Sequence, residues 1–244
     1  MELVRTYPYL VASLVMLAVC LLGLTVCSEK QRWPMILSAL LATPCSAHTL
    51  GLEPRYWHPT RVVLSRFGPE DLLIAFGCGG TVWLISTWLV RDRLTVHLDP
   101  LKMAWRYLFV TLGVFGVGGI CWLLGTRRPI TAMVAAFALI VLCLLPLESG
   151  LWPLALAGLA GFTLLYIVVT KAVFSLSPGF ASQWNTAALW GPRFLGIPVD
   201  EIAAAAGYGM AWPLFAAFLF DARLEAVAIK EAGGTGGRVG RQEP

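Results

Sequence analysis

Seven apolar segments, each long enough to cross a bilayer as a helix, constrain the fold of this 244-residue chain more than any other feature. A helix needs about 20 apolar residues to cross the hydrocarbon core. Only 13% of the residues are charged, against about 25% in soluble domains, and one soluble core could not hide this much apolar surface. The predicted spans are 8–27, 34–50, 71–90, 104–125, 129–147, 151–173 and 200–220.

The sequence therefore predicts an all-α, polytopic membrane protein with seven transmembrane helices. One membrane domain is expected over 1–231, ending in a short amphipathic helix from Asp221 to Glu231. The glycine-rich tail 232–244 is expected to be disordered.

Two adjacent acidic residues begin both the third and the seventh predicted span. They are Glu70 with Asp71, and Asp200 with Glu201. A Gly-x-Gly segment follows each pair, six positions after its second acid, at 77–79 and 207–209. Acids are costly near a bilayer, so a matched arrangement needs an explanation. Seven spans place both pairs at one membrane face, on helices that run in the same direction.

The matched pairs predict a parallel internal repeat. Its units would be 1–100 and 129–220, each with three spans, and the fourth span would join them. Glycines in a spanning helix indicate close approach between helices. This is expected of the fourth span, at Gly113, Gly116, Gly118 and Gly119, and of the sixth, at Gly158 and Gly161.

Helix capping explains one acid of each pair but not both. Adjacent side chains on a helix point about 100° apart, so one acid can cap while the other faces the bundle. A carboxyl in apolar surroundings can stay protonated near neutrality and act as a Brønsted acid. All four acids are candidate catalytic residues. We expect Glu70 and Asp200 to be the acid and its base or charge-stabilising partner, bordering one apolar pocket, and Asp71 and Glu201 to assist or cap.

Aromatic and polar residues near the same face are candidates for substrate binding. Aromatic side chains at this depth either anchor the protein at the interface or cover a cavity and present π faces to a cation. A histidine there is either a proton relay or simply hydrogen-bonded. The candidates are His48, Tyr56, Trp57, Trp184, Asn185, Tyr208 and Trp212. The three scattered histidines predict no metal site, and no phosphate-binding or dinucleotide motif indicates a cofactor.

The acidic segments resemble the lycopene cyclase domain family, small integral membrane enzymes of carotenoid synthesis. That family carries a Pro-x-Glu-Glu-type motif in each of two three-helix units. Pro-Val-Asp-Glu at 198–201 matches it with aspartate in the first acidic place, and Gly-Pro-Glu-Asp at 68–71 resembles the other copy with its proline shifted. Tyr-Trp-His-Pro at 56–59 resembles a Tyr-Trp-Asn-Pro stretch of many members. The resemblance covers about 34–90 and 175–220.

This resemblance, and a more distant one to the transmembrane meroterpenoid cyclases, implies an isoprenoid cyclase. An acid would protonate a double bond or an epoxide, the cation would cyclise, and a base would remove a proton. The reaction would be of the intramolecular lyase or isomerase type, without a cofactor, on a hydrophobic isoprenoid taken from the lipid phase. The residues themselves also permit a transporter or proton-coupled carrier, or a non-catalytic membrane partner with a cyclase-like fold.

The net charge is only +4, and the sequence contains no dense cluster of basic residues. Membrane lipids are therefore the expected partners, and nucleic acid is not. Basic residues are divided almost equally between the two faces, eight against ten. The basic tail favours a cytoplasmic C-terminus, in a plasma membrane of bacterial type, by the positive-inside rule.

Overall fold

The structure is a computed structural model that describes residues 2–53, 55–124 and 128–225. In this part of the chain, seven helical segments are apolar enough to span a membrane and confirm the predicted all-α polytopic fold. They are α1 Pro8–Val26, α2 Glu29–Ala42, α3 Pro69–Thr87, α4 Pro100–Leu123, α5 Pro129–Leu147, α6 Trp152–Leu176 and α7 Val199–Leu219. Helices α1, α3, α4 and α5 start with proline, whose fixed φ suits the first helical position.

Shorter elements extend or connect these helices. The second span continues from α2 through a 3₁₀ helix, Thr43–His48, and one helical turn, Thr49–Leu52. Similar short turns are Glu2–Thr6, Trp88–Val90, Ser149–Leu151, Pro178–Gln183 and Thr186–Ala188.

Within the described ranges, four two-residue strands form two antiparallel pairs outside the helices. Strand β2, Arg193–Phe194, pairs with β3, Ile197–Pro198, directly before α7. Strand β1, Leu94–Thr95, pairs with β4, Arg223–Leu224. The amphipathic helix predicted from Asp221 is therefore wrong for residues 221–225. The chain turns at Asp221, which has a φ of 49° and accepts a hydrogen bond from Lys102. The rest of that helix and the predicted tail lie outside the described residues.

Helices α3 and α7 occupy equivalent places in the bundle. Helix α3 packs against α1 and α2, whereas α7 packs against α5 and α6. The contact between α3 and α6 joins the two groups. The sequence order of the helices thus matches the predicted units, although the repeat itself remains a prediction.

The two Gly-x-Gly segments make matching contacts. A Cβ at Gly77 would lie 2.7 Å from the backbone of α1, and a Cβ at Gly79 would lie 2.4 Å from Ala42 of α2. In the other group, a Cβ at Gly207 would lie 3.0 Å from Phe137 of α5, and one at Gly209 would meet the backbone of α6. Glycine lets the helices approach closely at these points.

The glycines of α4 do not mark close helix contacts, contrary to expectation. No described atom lies within 4 Å of a Cβ placed at Gly113, Gly116, Gly118 or Gly119. Helix α4 instead contacts the bundle near its start, where Arg106 donates to the Phe218 carbonyl. An apolar helix in lipid needs no protein cover, because lipid tails are as apolar as its side chains.

Candidate active site

An apolar cavity of about 180 Å³ lies between α2, α3, α5, α6 and α7. Two carboxyl side chains line it, Asp71 from α3 and Glu201 from α7. A second cavity of about 190 Å³ shares His48, Tyr166 and Glu201 with the first, so the two adjoin. The starts of α3 and α7 therefore lie at the same end of the bundle.

Asp71 is buried and carries a full set of hydrogen-bond donors. Arg61 donates from Nε at 3.0 Å and from Nη2 at 3.2 Å, and the Tyr9 hydroxyl donates at 2.9 Å. The backbone N–H of Gly68 donates at 2.8 Å, which closes a capping box at the start of α3. These donors favour a charged Asp71, since a buried carboxylate is tolerated when it is paired and hydrogen-bonded.

Arg61 is itself buried between two carboxylates. Its Nη1 donates to Glu53 at 2.5 Å, on the side away from Asp71. Burial alone would lower the pKa of Arg61, but hydrogen bonds to Asp71 and Glu53 outweigh it and leave that pKa raised. The guanidinium therefore stays charged and fixes the position of the Asp71 carboxylate.

Glu201 accepts hydrogen bonds from neutral groups. Trp184 donates its indole N–H at 2.8 Å, and Tyr166 donates its hydroxyl at 2.5 Å. Within the described part of the chain, no lysine or arginine forms a salt bridge with Glu201. The Tyr56 hydroxyl lies nearby, and burial raises its pKa, so it stays neutral.

Glu70 and Asp200 are buried but do not line these cavities, which corrects the expected pairing of those two acids. Glu70 accepts the backbone N–H of Val62 at 2.7 Å through one oxygen. Its other oxygen and both oxygens of Asp200 have no hydrogen-bond partner among the described residues. Both acids are the second residue of their helix, and the side chain of the third points about 100° away, into the cavity.

Two loops join over the second cavity. Trp57 and Trp184 form an isolated antiparallel bridge, and their rings lie 6.1 Å apart. The His58 N–H donates to the Gln183 carbonyl at 2.9 Å, beside this bridge. Tyr56, Trp57 and Trp184 all line the cavity, as expected of substrate-binding candidates. We call this covering, residues 56–58 and 183–185, the roof.

The other predicted substrate-binding residues divide into two groups. His48 and Tyr208 line the first cavity. Asn185 holds the roof loops instead, because its side chain donates to the Arg55 carbonyl at 3.0 Å. Trp212 lies behind the cavity, stacked on Tyr208 at 5.6 Å, and donates to Ser38.

Three residues that contact the cavity acids were not predicted as site residues. They are Tyr9, Arg61 and Tyr166. Nothing in the local sequence distinguishes Tyr9 or Tyr166 from packing residues, or Arg61 from other loop cations. Among the described residues, no group of three or more His, Cys, Asp or Glu could hold a metal ion.

Comparison with known proteins supports the resemblance seen in the acidic segments. Residues 127–222 match the model of a family described as lycopene cyclase, which confirms the predicted resemblance to the lycopene cyclase domain family. The matched part includes the acids of α7 but not those of α3. Searches of curated proteins and of solved structures each gave no significant match. The family match, with the seven apolar helices, indicates an integral membrane protein with a function of the carotenoid cyclase type.

Proposed function

We propose that the protein is a membrane-embedded isoprenoid cyclase that starts a carbocation cyclisation by protonating its substrate. The observation that carries this proposal is the shared cavity. In it, a cation-paired carboxyl and a carboxyl that has no cation partner among the described residues border the same apolar space. Acid-initiated cyclisation needs a proton donor and a fixed negative charge near one substrate, and it needs water kept out.

Glu201 is the proposed proton donor. Its partners are neutral and its surroundings apolar, and a carboxyl without a cation is less costly to bury when it is protonated. The Tyr166 hydroxyl can donate or accept, so its contact with Glu201 survives a change of protonation state. The protonated carboxyl would transfer its proton to a terminal double bond or an epoxide. Positioned acids of this kind contribute about 10² to 10⁴ in rate.

Asp71 is the proposed charge stabiliser and base. Its carboxylate is held by Arg61, Tyr9 and the Gly68 N–H, so its charge is in place before the cation forms. After ring closure it would take the proton lost from the ring. Return of that proton to Glu201 would complete the cycle. The substrate gains one proton and loses one, so the product is an isomer and no oxidant is needed.

The remaining acids have supporting roles in this proposal. Glu70 accepts a hydrogen bond from the Val62 N–H and so holds the loop that carries Arg61. Asp200 lies next to Glu201, near Tyr56. This reverses the order expected from position, in which Glu70 and Asp200 were to do the chemistry.

The roof would keep bulk water from the cation, and its aromatic faces would stabilise positive charge. The substrate would therefore come from the lipid phase and not from water. We further propose a location in a plasma membrane of bacterial type with a cytoplasmic C-terminus, which would put the acids near the outer face. The basic residues after α7 favour this orientation.

Expression in hosts that accumulate lycopene, or other linear isoprenoid precursors, tests the proposal. Cyclised isomers are expected in at least one host, and their mass should equal that of the precursor. A Glu201→Gln variant should make none while it still accumulates in the membrane. Unchanged precursor in every host, with the folded protein present, would overturn the cyclase assignment.

A further inference from the structure

A third cavity, of about 300 Å³, is bounded by the end of the second span, the last turns of α4 and the start of α5. Its lining includes small residues from all three, namely Gly51, Gly118 and Ala132. We call this space the side cavity.

The side cavity adjoins the site. His48 lines all three cavities, and Leu52 lines both the side cavity and the cavity under the roof. The ring of His48 is fixed, because its Nδ1–H donates to the Cys45 carbonyl at 2.5 Å. Material in the side cavity would therefore meet the reaction space at His48.

The side cavity adjoins the least covered part of the bundle. The second half of α4 exposes large apolar side chains, including Phe115 at 66% and Ile120 at 58%. In a bilayer such a surface contacts lipid tails. The glycines on this half of α4 have no described neighbour at their Cβ positions. Among the described residues, the space around these glycines is open toward the lipid.

We propose that the side cavity is the lateral portal of the enzyme and holds the uncyclised hydrocarbon chain while its end reacts between Asp71 and Glu201. This inference rests on the proposed function. Apart from Arg55 and His48, the lining consists of small or apolar residues, which fits a flexible isoprenoid chain. Binding of the non-reacting chain would hold the reacting end in place.

A bulky side chain in the portal provides the main test. Gly118→Trp and Ala132→Trp should each lower the initial rate of cyclisation about tenfold, because they fill the space for the remote chain. Gly119→Trp is the matched control. Gly119 is the next residue of α4, is exposed and does not line the side cavity, so its variant should keep the wild-type rate.

Two further variants protect this test against misfolding. Gly118→Ala and Ala132→Leu fill less space and should reduce the rate by less than the tryptophans do. Size-exclusion chromatography in detergent should give the same folded fraction for all five variants. If Gly118→Trp and Ala132→Trp fold and turn over at the wild-type rate while Glu201→Gln is inactive, the portal is wrong and the cyclase stands.

A second readout does not depend on activity. A linear polyisoprenoid carrying a diazirine can be photolysed with the protein in liposomes, with and without excess unlabelled squalene. The competitor should remove adducts at Gly118, Cys121 and Ala132, but leave those at the exposed Leu142 of α5. Competed adducts without a cyclised product in any host would keep the portal and remove the proposed reaction. Equal adducts at all sites with and without squalene would overturn the portal.

Discussion

The starts of α3 and α7 carry the same kind of acidic pair in the same register, yet they give its second acid opposite surroundings. Asp71 meets a buried guanidinium, a tyrosine hydroxyl and a backbone N–H. Glu201 meets a tyrosine hydroxyl and an indole N–H. One motif can therefore supply a charged and a neutral carboxyl to one cavity, because groups far away in the sequence set the electrostatics of each copy.

The residue before each helix contributes to this difference. The N-cap of α3 is Gly68, whose N–H donates to the Asp71 side chain in a capping box. The N-cap of α7 is Pro198, which has no N–H to offer. Glu201 is therefore not drawn back to its own helix start and can reach Trp184 and Tyr166. A shift of one proline between the two motifs thus changes what the third helical residue can do.

Replacing the proposed proton donor of α7, Glu201, should have the largest effect on the rate of cyclisation. Glu201→Gln should lower the rate of cyclisation by about 10² to 10⁴, as expected for loss of a general acid. Asp200→Asn makes the same change of group one position earlier, outside the cavity, and should cost less than this. Product formation per folded protein measures both. An inactive Asp200→Asn with an active Glu201→Gln would return the acid role to Asp200.

Breaking the ion pair at the start of α3 should have the next largest effect. It should lower the stability of the protein. Arg61→Met leaves the buried Asp71 without its cation, and loss of one partner of such a pair costs about 3–5 kcal/mol. Adding Asp71→Asn to Arg61→Met should recover part of that loss, since the buried charge of Asp71 is then removed and only Glu53 still lacks its partner. Reversible unfolding in mixed micelles measures the free energy of unfolding. No recovery in the double variant would contradict a charged Asp71.

Removing one tyrosine hydroxyl from each site compares the two charge states directly. A hydrogen bond to a charged group contributes about 1.5–3 kcal/mol, and a neutral one about 0.5–1.5 kcal/mol. Tyr9→Phe should therefore destabilise the protein more than Tyr166→Phe. The same unfolding assay measures both variants. Equal losses would indicate that Asp71 and Glu201 carry the same charge, and the proposed division of roles would fail.

An ion pair at the opposite end of the bundle should show the smallest effect. Lys102 donates to Asp221 at 2.7 Å, and both side chains are partly exposed. Solvent screening should limit the cost of Lys102→Met to about 1 kcal/mol or less. The hydrogen bond from Lys102 lowers the pKa of Asp221. Its stabilisation is therefore present above the unfolded pKa and is lost as pH falls through the lower folded value.

That pH dependence can be measured as the difference in unfolding free energy between wild type and Lys102→Met at pH 7 and at successively lower pH. The difference should shrink on acidification. If Lys102→Met lost more unfolding free energy than Arg61→Met, burial would not explain the difference in strength between the two ion pairs.

Some features of the site and the fold could not be predicted from the sequence, and particular residues show why. It gave no sign that Arg61, one of several basic residues in its loop, would be buried beside Asp71. It placed Glu70 and Asp200 in the pocket, because their positions in the motif do not say which side of the helix meets the cavity. Helix α4 was expected to be closely packed on account of its glycines, but packing partners cannot be counted from one helix alone.

The amino-acid sequence by itself determined the seven apolar helices and the matched acidic pairs at the starts of the third and seventh. Helix length follows from local hydropathy, and a common face follows from the number of crossings. Only the tertiary structure decided that Asp71 and Glu201 share a cavity, and that, among the described residues, Asp71 is paired with a cation and Glu201 is not. The physical reason is range: the Tyr9–Asp71 bond joins residues 62 positions apart and the Tyr166–Glu201 bond joins residues 35 apart. The surroundings of a carboxyl depend on such distant contacts, whereas hydropathy and capping are written within a few turns of helix.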